Sequence, residues 1–253
     1  MTAYFDNNVL VYLEEEYFSL EEIINKVNPA IEKVYYSSAH VFEANQLTDN
    51  QEFDRVERIE KRLLLIDKIT NGNYIYLEKP GNKVYFLTHP AREVFETINE
   101  VPFGDSAMKS LLNIISHEQK AQIREILGLE SSKLNNYSPK EVVEHLNKNL
   151  NQWSSGLSMI GLLETGLKYH PDYKTFGLDN KIAGLFEILD ILGYWTDKPT
   201  EKSNYARSMD ASHTFYASHC DYFVSNDKKT RYKAKVAYSI YNVDTFVPEI
   251  KMK

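Results

Sequence analysis

Apolar and polar positions follow two different periods at the start of the chain. Residues 2–6 and 33–37 are short apolar runs of the length of buried strands. The first is followed by apolar positions at helical spacing, and Ser19-Leu20-Glu21-Glu22 is a capping-box pattern that begins the next helix. After the second, Ser37 or Ser38 can cap a helix that carries His40, Glu43 and Gln46 on one side. The order of strand, helix, strand and helix predicts a parallel sheet.

The middle of the chain has a different pattern. Residues 51–69 carry the apolar stripe of one long helix. Residues 74–77 and 83–87 are strand-like, and the turn sequence Lys79-Pro80-Gly81-Asn82 between them predicts a hairpin. From about residue 90 to residue 192 the spacing is mostly helical.

Helix and strand alternate again near the carboxyl end. The pattern predicts, in order, a helix over 203–218, a strand over 221–225, a helix over 228–241 and a last strand over 243–247. This return of the alternation indicates that the two ends of the chain contribute to the same sheet.

These elements predict an α/β fold, a three-layer α/β/α sandwich around a mainly parallel central sheet. We expect one domain over residues 1–253, with its core formed by about 1–70 and 200–253. The intervening residues, about 71–199, then form the hairpin and a large, mostly helical insertion.

Composition and charge restrict the function classes. Hydrophobic residues make up 43% and aromatic residues 13% of the chain, which is typical of a globular protein. The net charge of -7 argues against a protein that coats nucleic acid through a broad basic face. The single cysteine, Cys220, the lack of an apolar run of about 18 residues and the lack of a leader pattern at Met1 favour a cytoplasmic protein without a membrane partner.

Carboxylates follow two of the strand candidates. Asp6 comes directly after Ala3-Tyr4-Phe5, and Asp227 follows Tyr222-Phe223-Val224 after two polar residues. Ligands of an open parallel sheet collect beyond the carboxyl ends of its strands, so we expect these side chains to converge. Crowded carboxylates repel each other unless a cation lies between them. Mg²⁺ or Mn²⁺ suits such oxygen ligands, and phosphoryl transfer is the chemistry it serves, so the pattern predicts a metal-dependent phosphodiesterase.

Four segments resemble the motifs of PIN-like (PIN domain) nucleases, in the order in which that family has them. They are residues 4–13 with Asp6, residues 36–45 with Glu43, residues 209–213 with Asp210, and residues 220–229 with Asp227. The resemblance covers about 3–50 and 203–250. It implies a PIN-like fold in which these four carboxylates hold one or two Mg²⁺ or Mn²⁺ ions and catalyse hydrolysis of RNA, with DNA as the second choice.

Other polar residues near the motifs have candidate roles. The resemblance gives Asn8 the role of bracing the turn after Asp6. His40 and His213 each lie three residues from a proposed ligand on the same helical face, so they either contact the substrate phosphate, support the ligands from behind, or are ordinary structural histidines. Asp221 either extends the acidic site or bonds backbone groups where its strand begins.

Two runs of basic residues remain. Lys228, Lys229 and Arg231 follow Asp227 directly, so they either bind the phosphate backbone of the substrate or form a solvated helix face. In the helix predicted over 51–69, basic residues alternate with glutamates, which predicts ion pairs within that helix.

Other functions fit the sequence less well. Haloacid dehalogenase phosphatases carry a second Asp two residues after the first, where this chain has Asn8. A Cys-His hydrolase built on His219 and Cys220 is disfavoured because neighbours in a strand entry point apart. Two alternatives stay open: a non-catalytic module that binds nucleic acid or protein, and a toxin or defence ribonuclease silenced by an inhibitory protein partner.

Overall fold

Within the described residues, five strands form one sheet in the order β4-β3-β2-β1-β5. The computed structural model describes residues 1–79, 81–99, 115–169, 173–196 and 201–250, without the side chains of 99 and 201–204. The strands are β1 (Thr2–Phe5), β2 (Lys33–Ser37), β3 (Asn73–Glu78), β4 (Lys83–Thr88) and β5 (Tyr222–Val224).

Four of these strands run parallel, and β4 runs antiparallel to β3. The predicted mainly parallel sheet is therefore confirmed, and the predicted hairpin extends that sheet through β3. β1 lies between β2 and β5, with Tyr4 opposite Tyr35 on one side and Phe223 on the other. Strands from the two ends of the chain are therefore neighbours in the sheet, with β5 last in the strand order.

The residues fall into two units. The first consists of Met1–Pro102, His213–Lys228 and Asp244–Lys253, and the second of Phe103–Ser212 and Lys229–Val243. Helices of the first unit are α1 (Asn7–Glu14), α2 (Leu20–Val27), α3 (Ser38–Asn45), α4 (Arg55–Thr70) and α5 (Ala91–Asn99).

Polar residues cap these helices at their first turns. Asp6, Ser19, Ser37 and Asp54 each accept a hydrogen bond from a backbone N–H of the following helix. The cap at Asp54 explains why α4 begins at Arg55, later than the apolar stripe alone predicts. Asp6 directly follows β1, Ser37 is the last residue of β2, and both cap helices, so a strand and a helix together fix each position.

The two faces of the sheet differ in the first unit. Alternate strand residues on one face join the apolar cluster formed by α1 to α5, and they are Ala3, Phe5, Val34, Tyr36, Tyr74 and Val224. Tyr4 points to the opposite face, where its hydroxyl contacts His213. The strand pattern thus buries a polar hydroxyl on one face and an apolar core on the other.

The second unit is helical in its described part. Its elements are α6 (His117–Ile126), α7 (Ser131–Leu134), α8 (Pro139–Trp153), α9 (Met159–Lys168), a 3₁₀ turn (Tyr173–Thr175) and α10 (Leu178–Leu192). The chain passes from the second unit to the first within α11 (Glu201–Ala217), and back within α12 (Lys228–Tyr241). Leucine and isoleucine side chains of α6, α8, α9 and α10 line an apolar cavity of about 450 Å³.

Two local predictions were wrong. Residues 243–247 make a single bridge between Tyr222 and Phe246 instead of a strand. The basic side chains of α4 reach outside the helix instead of pairing within it: Arg55 donates to Asn45 Oδ1 at 2.7 Å, and Arg62 pairs with Glu14. Within the described ranges, none of the helices combines the length and the apolar character that crossing a membrane requires.

Candidate functional site

Asp6 is the buried centre of a polar cluster at the carboxyl end of β1. Its Oδ1 accepts the backbone N–H of Asn7 at 2.7 Å, as the cap of α1. Its Oδ2 accepts the amide of Asn8 at 2.5 Å and the hydroxyl of Ser225 at 2.6 Å. Three donors therefore hold one carboxylate. Two belong to the start of α1, and the third directly follows β5.

Asn8 joins the ends of β1 and β5. Its Nδ2 donates to Asp6 and, at 3.1 Å, to Ser225 Oγ, while its Oδ1 accepts the backbone N–H of Asn226 at 2.8 Å. The structure therefore places Asn8 as the brace of the acidic turn.

Glu43 approaches the cluster from α3 and is linked to His213. The two side chains are joined by a hydrogen bond of 2.7 Å between His213 Nε2 and Glu43 Oε2. The same nitrogen lies 4.0 Å from Asp6 Oδ1, so two carboxylates flank one imidazole. Glu43 is the more exposed of the two, with 22% of its side chain accessible against 4% for Asp6. Glu43 is thus the more accessible carboxylate of this pair.

Tyr4 fixes the imidazole of His213 from behind. Its hydroxyl lies 2.8 Å from His213 Nδ1 and 2.6 Å from Ser37 Oγ. In the neutral ring, Nε2 donates to Glu43 and Nδ1 accepts from Tyr4. Burial raises the pKa of Tyr4 well above its usual value, so the phenol stays protonated and remains available as a donor.

His40 has a structural position below the cluster. Its Nδ1 accepts the backbone N–H of Ser37 at 3.1 Å, so the proton is on Nε2, which donates to Phe5 O at 2.7 Å. Burial lowers the pKa of His40 well below its usual value, and the neighbouring His213 adds to the effect. Because both nitrogens bond to the backbone, His40 connects β1 to β2, and its observed contacts are those of a structural histidine.

The charged form of the Asp6 carboxylate is destabilised by its surroundings. Burial raises its pKa; His213 and the hydrogen bonds from Ser225 and Asn7 act in the opposite direction, and nearby Glu43 raises it further. A charged Asp6 is therefore less stable than in water, which is the condition that a bound cation relieves.

Asp227 lies at the same strand end as Asp6. Its backbone N–H donates to Ser225 Oγ at 3.1 Å, the same hydroxyl that donates to Asp6, and the residue is exposed. Asp210 is half-buried on α11 and belongs to the second unit. The first unit thus brings Asp6, Glu43 and Asp227 to the carboxyl end of the parallel strands. The role of Asp210 stays a prediction.

Asp221 lies at the other end of the sheet. Its Oδ2 accepts the backbone N–H of Thr2 at 2.7 Å and the Thr2 hydroxyl at 3.1 Å. Thr2 begins β1 and Asp6 follows its last residue, so about 13 Å of strand separates the two carboxylates. The structural alternative therefore describes Asp221, and we drop it from the ligand set.

The three basic residues after Asp227 have different surroundings. Lys228 is exposed at the start of α12. Lys229 belongs to the second unit and donates to the carbonyl of Thr196 at 2.7 Å. Arg231 is buried in the second unit. Of these three, Lys228 has the exposure that a contact with a phosphate backbone requires.

Sequence reasoning missed the hydroxyl groups of the site. The sequence pattern places Tyr4, Ser37 and Ser225 in strands, with Ser37 as a possible helix cap, and assigns their hydroxyl groups no role in the site. The signal was present at two positions, because both serines directly follow buried apolar strand residues, as Asp6 does. Arg62 was also missed: its guanidinium is buried and donates to Asn7 Oδ1 at 2.6 Å, next to Asp6.

No protein-family model, no curated protein and no solved structure matches this chain. The resemblance to PIN-like nucleases therefore stays a prediction that rests on the four motifs. Among the residues that the structure describes, no group of three or more His, Cys, Asp or Glu side chains has the arrangement of a metal site.

We predict that Tyr4→Phe lowers the free energy of unfolding by about 1–3 kcal/mol, because it removes the buried partner of Ser37 and His213. Urea denaturation followed by circular dichroism measures the change. Tyr12→Phe is the matched control: the Tyr12 hydroxyl bonds a half-buried asparagine, Asn226, and we expect a smaller loss. Equal stability of Tyr4→Phe and the wild type would contradict the buried network.

We also predict that His40 makes the fold sensitive to acid. Its folded pKa is lowered, so the unfolded chain binds the extra proton below about pH 6.5, and stability falls as the pH falls from there. One proton limits the slope to about 1.4 kcal/mol per pH unit. Gln in place of His40 keeps an acceptor for Ser37 N–H, as in a capping box, and cannot be protonated. Urea denaturation at several pH values between about 5 and 8 gives the free energy of unfolding as a function of pH. This dependence should be flatter for His40→Gln than for the wild type, and equal slopes would refute the assignment.

Proposed function

We propose that this chain is a metal-dependent phosphodiesterase of the PIN-like type, acting on RNA first and DNA second. The observation that supports it most is the meeting of Asp6 and Glu43 at one imidazole nitrogen, at the carboxyl edge of a parallel sheet. Parallel α/β sheets bind their ligands at this edge. The finer fold assignment, a three-layer PIN-like sandwich with a helical insertion, belongs to the same proposal.

The donor chemistry of the pair fits Mg²⁺ or Mn²⁺. Mg²⁺ in phosphoryl-transfer sites is held by one or two carboxylates, and waters and substrate phosphates complete its shell. Asp6 and Glu43 are such a pair, and Asp227 lies at the same strand end. A complete protein cage is therefore not required for the proposal. When bound, the ion would activate a water and neutralise charge on the phosphate.

The chain's own residues would hold the carboxylates in place. Asn8 and Ser225 fix the rotamer of Asp6 through two short hydrogen bonds, and Asn8 also donates to Ser225. His213 orients Glu43, and Tyr4 in turn orients His213. These contacts lower the conformational freedom of both carboxylates before substrate binds, which is how a preorganised site reduces the barrier.

Substrate binding has a candidate contact in Lys228, which is exposed beside Asp227. One lysine contributes charge and no base recognition, so the proposal includes no target sequence. RNA is preferred over DNA because the family resemblance implies it.

Cleavage of labelled single strands tests the proposal. We expect purified protein to cut RNA, and DNA more slowly, with Mg²⁺ or Mn²⁺, and to lose the activity in EDTA. Calorimetric titration of Mn²⁺ gives a second readout, because Asp6→Asn should weaken binding of the ion itself. Cleavage that persists in EDTA would overturn the proposed chemistry, and binding of RNA without cleavage in any metal would favour the non-catalytic module.

A further inference from the structure

Among the residues that the structure describes, β4 forms one edge of the sheet, and β3 is the strand that pairs with it. It pairs with β3 residue for residue, from Asn73 opposite Thr88 to Glu78 opposite Lys83. Soluble proteins commonly protect such edges with proline, inward charges or bulges. β4 instead exposes large apolar side chains: Tyr85 is 39%, Phe86 52% and Leu87 41% accessible.

The free backbone groups of β4 follow from its pairing with β3. The N–H of His89 donates to Gly72 O at 2.8 Å, so these two opposite residues form a hydrogen-bonded pair. Hydrogen-bonded and non-hydrogen-bonded pairs alternate along an antiparallel ladder. Val84, Phe86 and Thr88 therefore direct their N–H and C=O groups away from β3, toward the free edge.

We propose that β4 is the docking surface for a second copy of this chain, with the two β4 strands antiparallel about a two-fold axis through Phe86. A two-fold axis perpendicular to the sheet keeps each face on its own side, so opposite residues must share a face. Centring the pair on Phe86 meets this condition. It also matches Val84 with Thr88 of the second copy, so the free groups satisfy one another through about six backbone hydrogen bonds.

Side chains and charges favour a second copy over an unrelated strand. In this register Tyr85 lies opposite Leu87 of the second copy, an aromatic-aliphatic pair. Lys83 lies opposite His89 of the second copy, whose imidazole is 3.0 Å from an exposed carboxylate, Glu93. The two-fold axis repeats this meeting of opposite charges at both ends of the interface.

The paired sheet would leave the two acidic clusters independent. Three strand spacings separate β1 from β4, so the two β1 strands would lie about 34 Å apart across the interface. The two-fold axis also reverses strand direction, so the carboxyl ends of the two β1 strands point to opposite sides. Loss of pairing should therefore leave the activity of each subunit unchanged.

Sedimentation equilibrium tests the interface. We expect the wild type to have twice the 29.4 kDa mass of one chain, and Phe86→Lys to weaken the association at least about 100-fold by placing like charges at the axis. Leu64→Lys is the matched control, since Leu64 is 67% exposed on α4, and its association should equal that of the wild type. A wild type that is monomeric at all concentrations overturns the proposal and leaves the edge for a strand of another protein.

Cysteine cross-linking tests the register. Opposite residues of a hydrogen-bonded pair are about 5.5 Å apart at Cα, within the range of a disulfide, so Phe86→Cys should cross-link two chains on oxidation. Val84→Cys should not, because about 13 Å of strand separates it from its own copy. Cys220 is buried and burial raises its pKa to about 12, so it does not compete. Equal cross-linking of both variants, or of neither, refutes the register.

Discussion

Asn in place of Asp6 is expected to reduce metal-dependent cleavage of RNA by at least about 100-fold, which corresponds to about 2.7 kcal/mol of transition-state stabilisation. The substitution removes the charge that would hold a divalent ion and leaves a single oxygen acceptor where two accept now. Glu43→Gln should have a similar effect, because Gln still accepts the hydrogen bond from His213 but has no charge. Initial rates with labelled RNA measure both.

The fold should survive these substitutions. Burial and the neighbouring Glu43 raise the pKa of Asp6, so at neutral pH its charge destabilises the folded state. Removing that charge offsets the loss of hydrogen bonds to Asn8 and Ser225, and we expect the free energy of unfolding to change by less than about 1 kcal/mol. Urea denaturation of each variant separates lost chemistry from lost structure.

Asp221→Asn is the matched control for charge. It removes a carboxylate at the opposite end of β1, where the partner is Thr2, so activity should equal that of the wild type. Stability should fall by about 1 kcal/mol, because the hydrogen bonds from Thr2 weaken. An inactive Asp221→Asn, or a fully active Asp6→Asn, would show that the acidic site has been placed at the wrong end of the sheet.

The sheet was predictable because strand and helix periods are local signals. The runs ending at Asp6 and Ser225 are short, apolar and followed by polar turns, so their strand character and parallel pairing were readable from the chain. The strand predicted over 243–247 is not formed: Phe246 makes a single bridge to Tyr222, and the neighbouring residues do not extend it into a ladder. Periodicity reports which face is apolar and says nothing about whether a partner strand is in reach.

The hydrogen bonds within the site were less predictable, because they join residues that are far apart in the sequence. Tyr4 and His213 are 209 positions apart, and Glu43 and His213 are 170 apart. A tyrosine in an apolar strand has the pattern of a core residue, and its hydroxyl partner is set by packing. The position of Asp221, in contrast, was predictable. Asp221 precedes β5 whereas Asp6 follows β1, and because these strands are parallel, the two carboxylates must lie at opposite ends of the sheet.

Loss of the Arg207 guanidinium is expected to have the largest effect on stability. The side chain is 1% exposed in the second unit, with Nε 2.6 Å from Glu187 Oε1 and Nη1 3.4 Å from Asp190 Oδ2. Lys120 also pairs with Asp190, at 2.8 Å, so within the described residues the network includes two cations and two carboxylates. Removing one partner of a buried ion pair costs about 3–5 kcal/mol, because the remaining charge stays buried without compensation.

We expect Arg207→Met to lower the free energy of unfolding by about 3 kcal/mol, at the low end of that range because Glu187 is 31% exposed and regains some hydration. Lys133→Met is the matched control, since its pair with Glu130 is largely exposed, and a change below about 0.5 kcal/mol is expected. Guanidinium chloride unfolding followed by circular dichroism measures both variants. If Arg207→Met unfolds at the denaturant concentration of the wild type, methionine packing compensates for the lost ion pairs, and the network then contributes specificity to the second unit instead of stability.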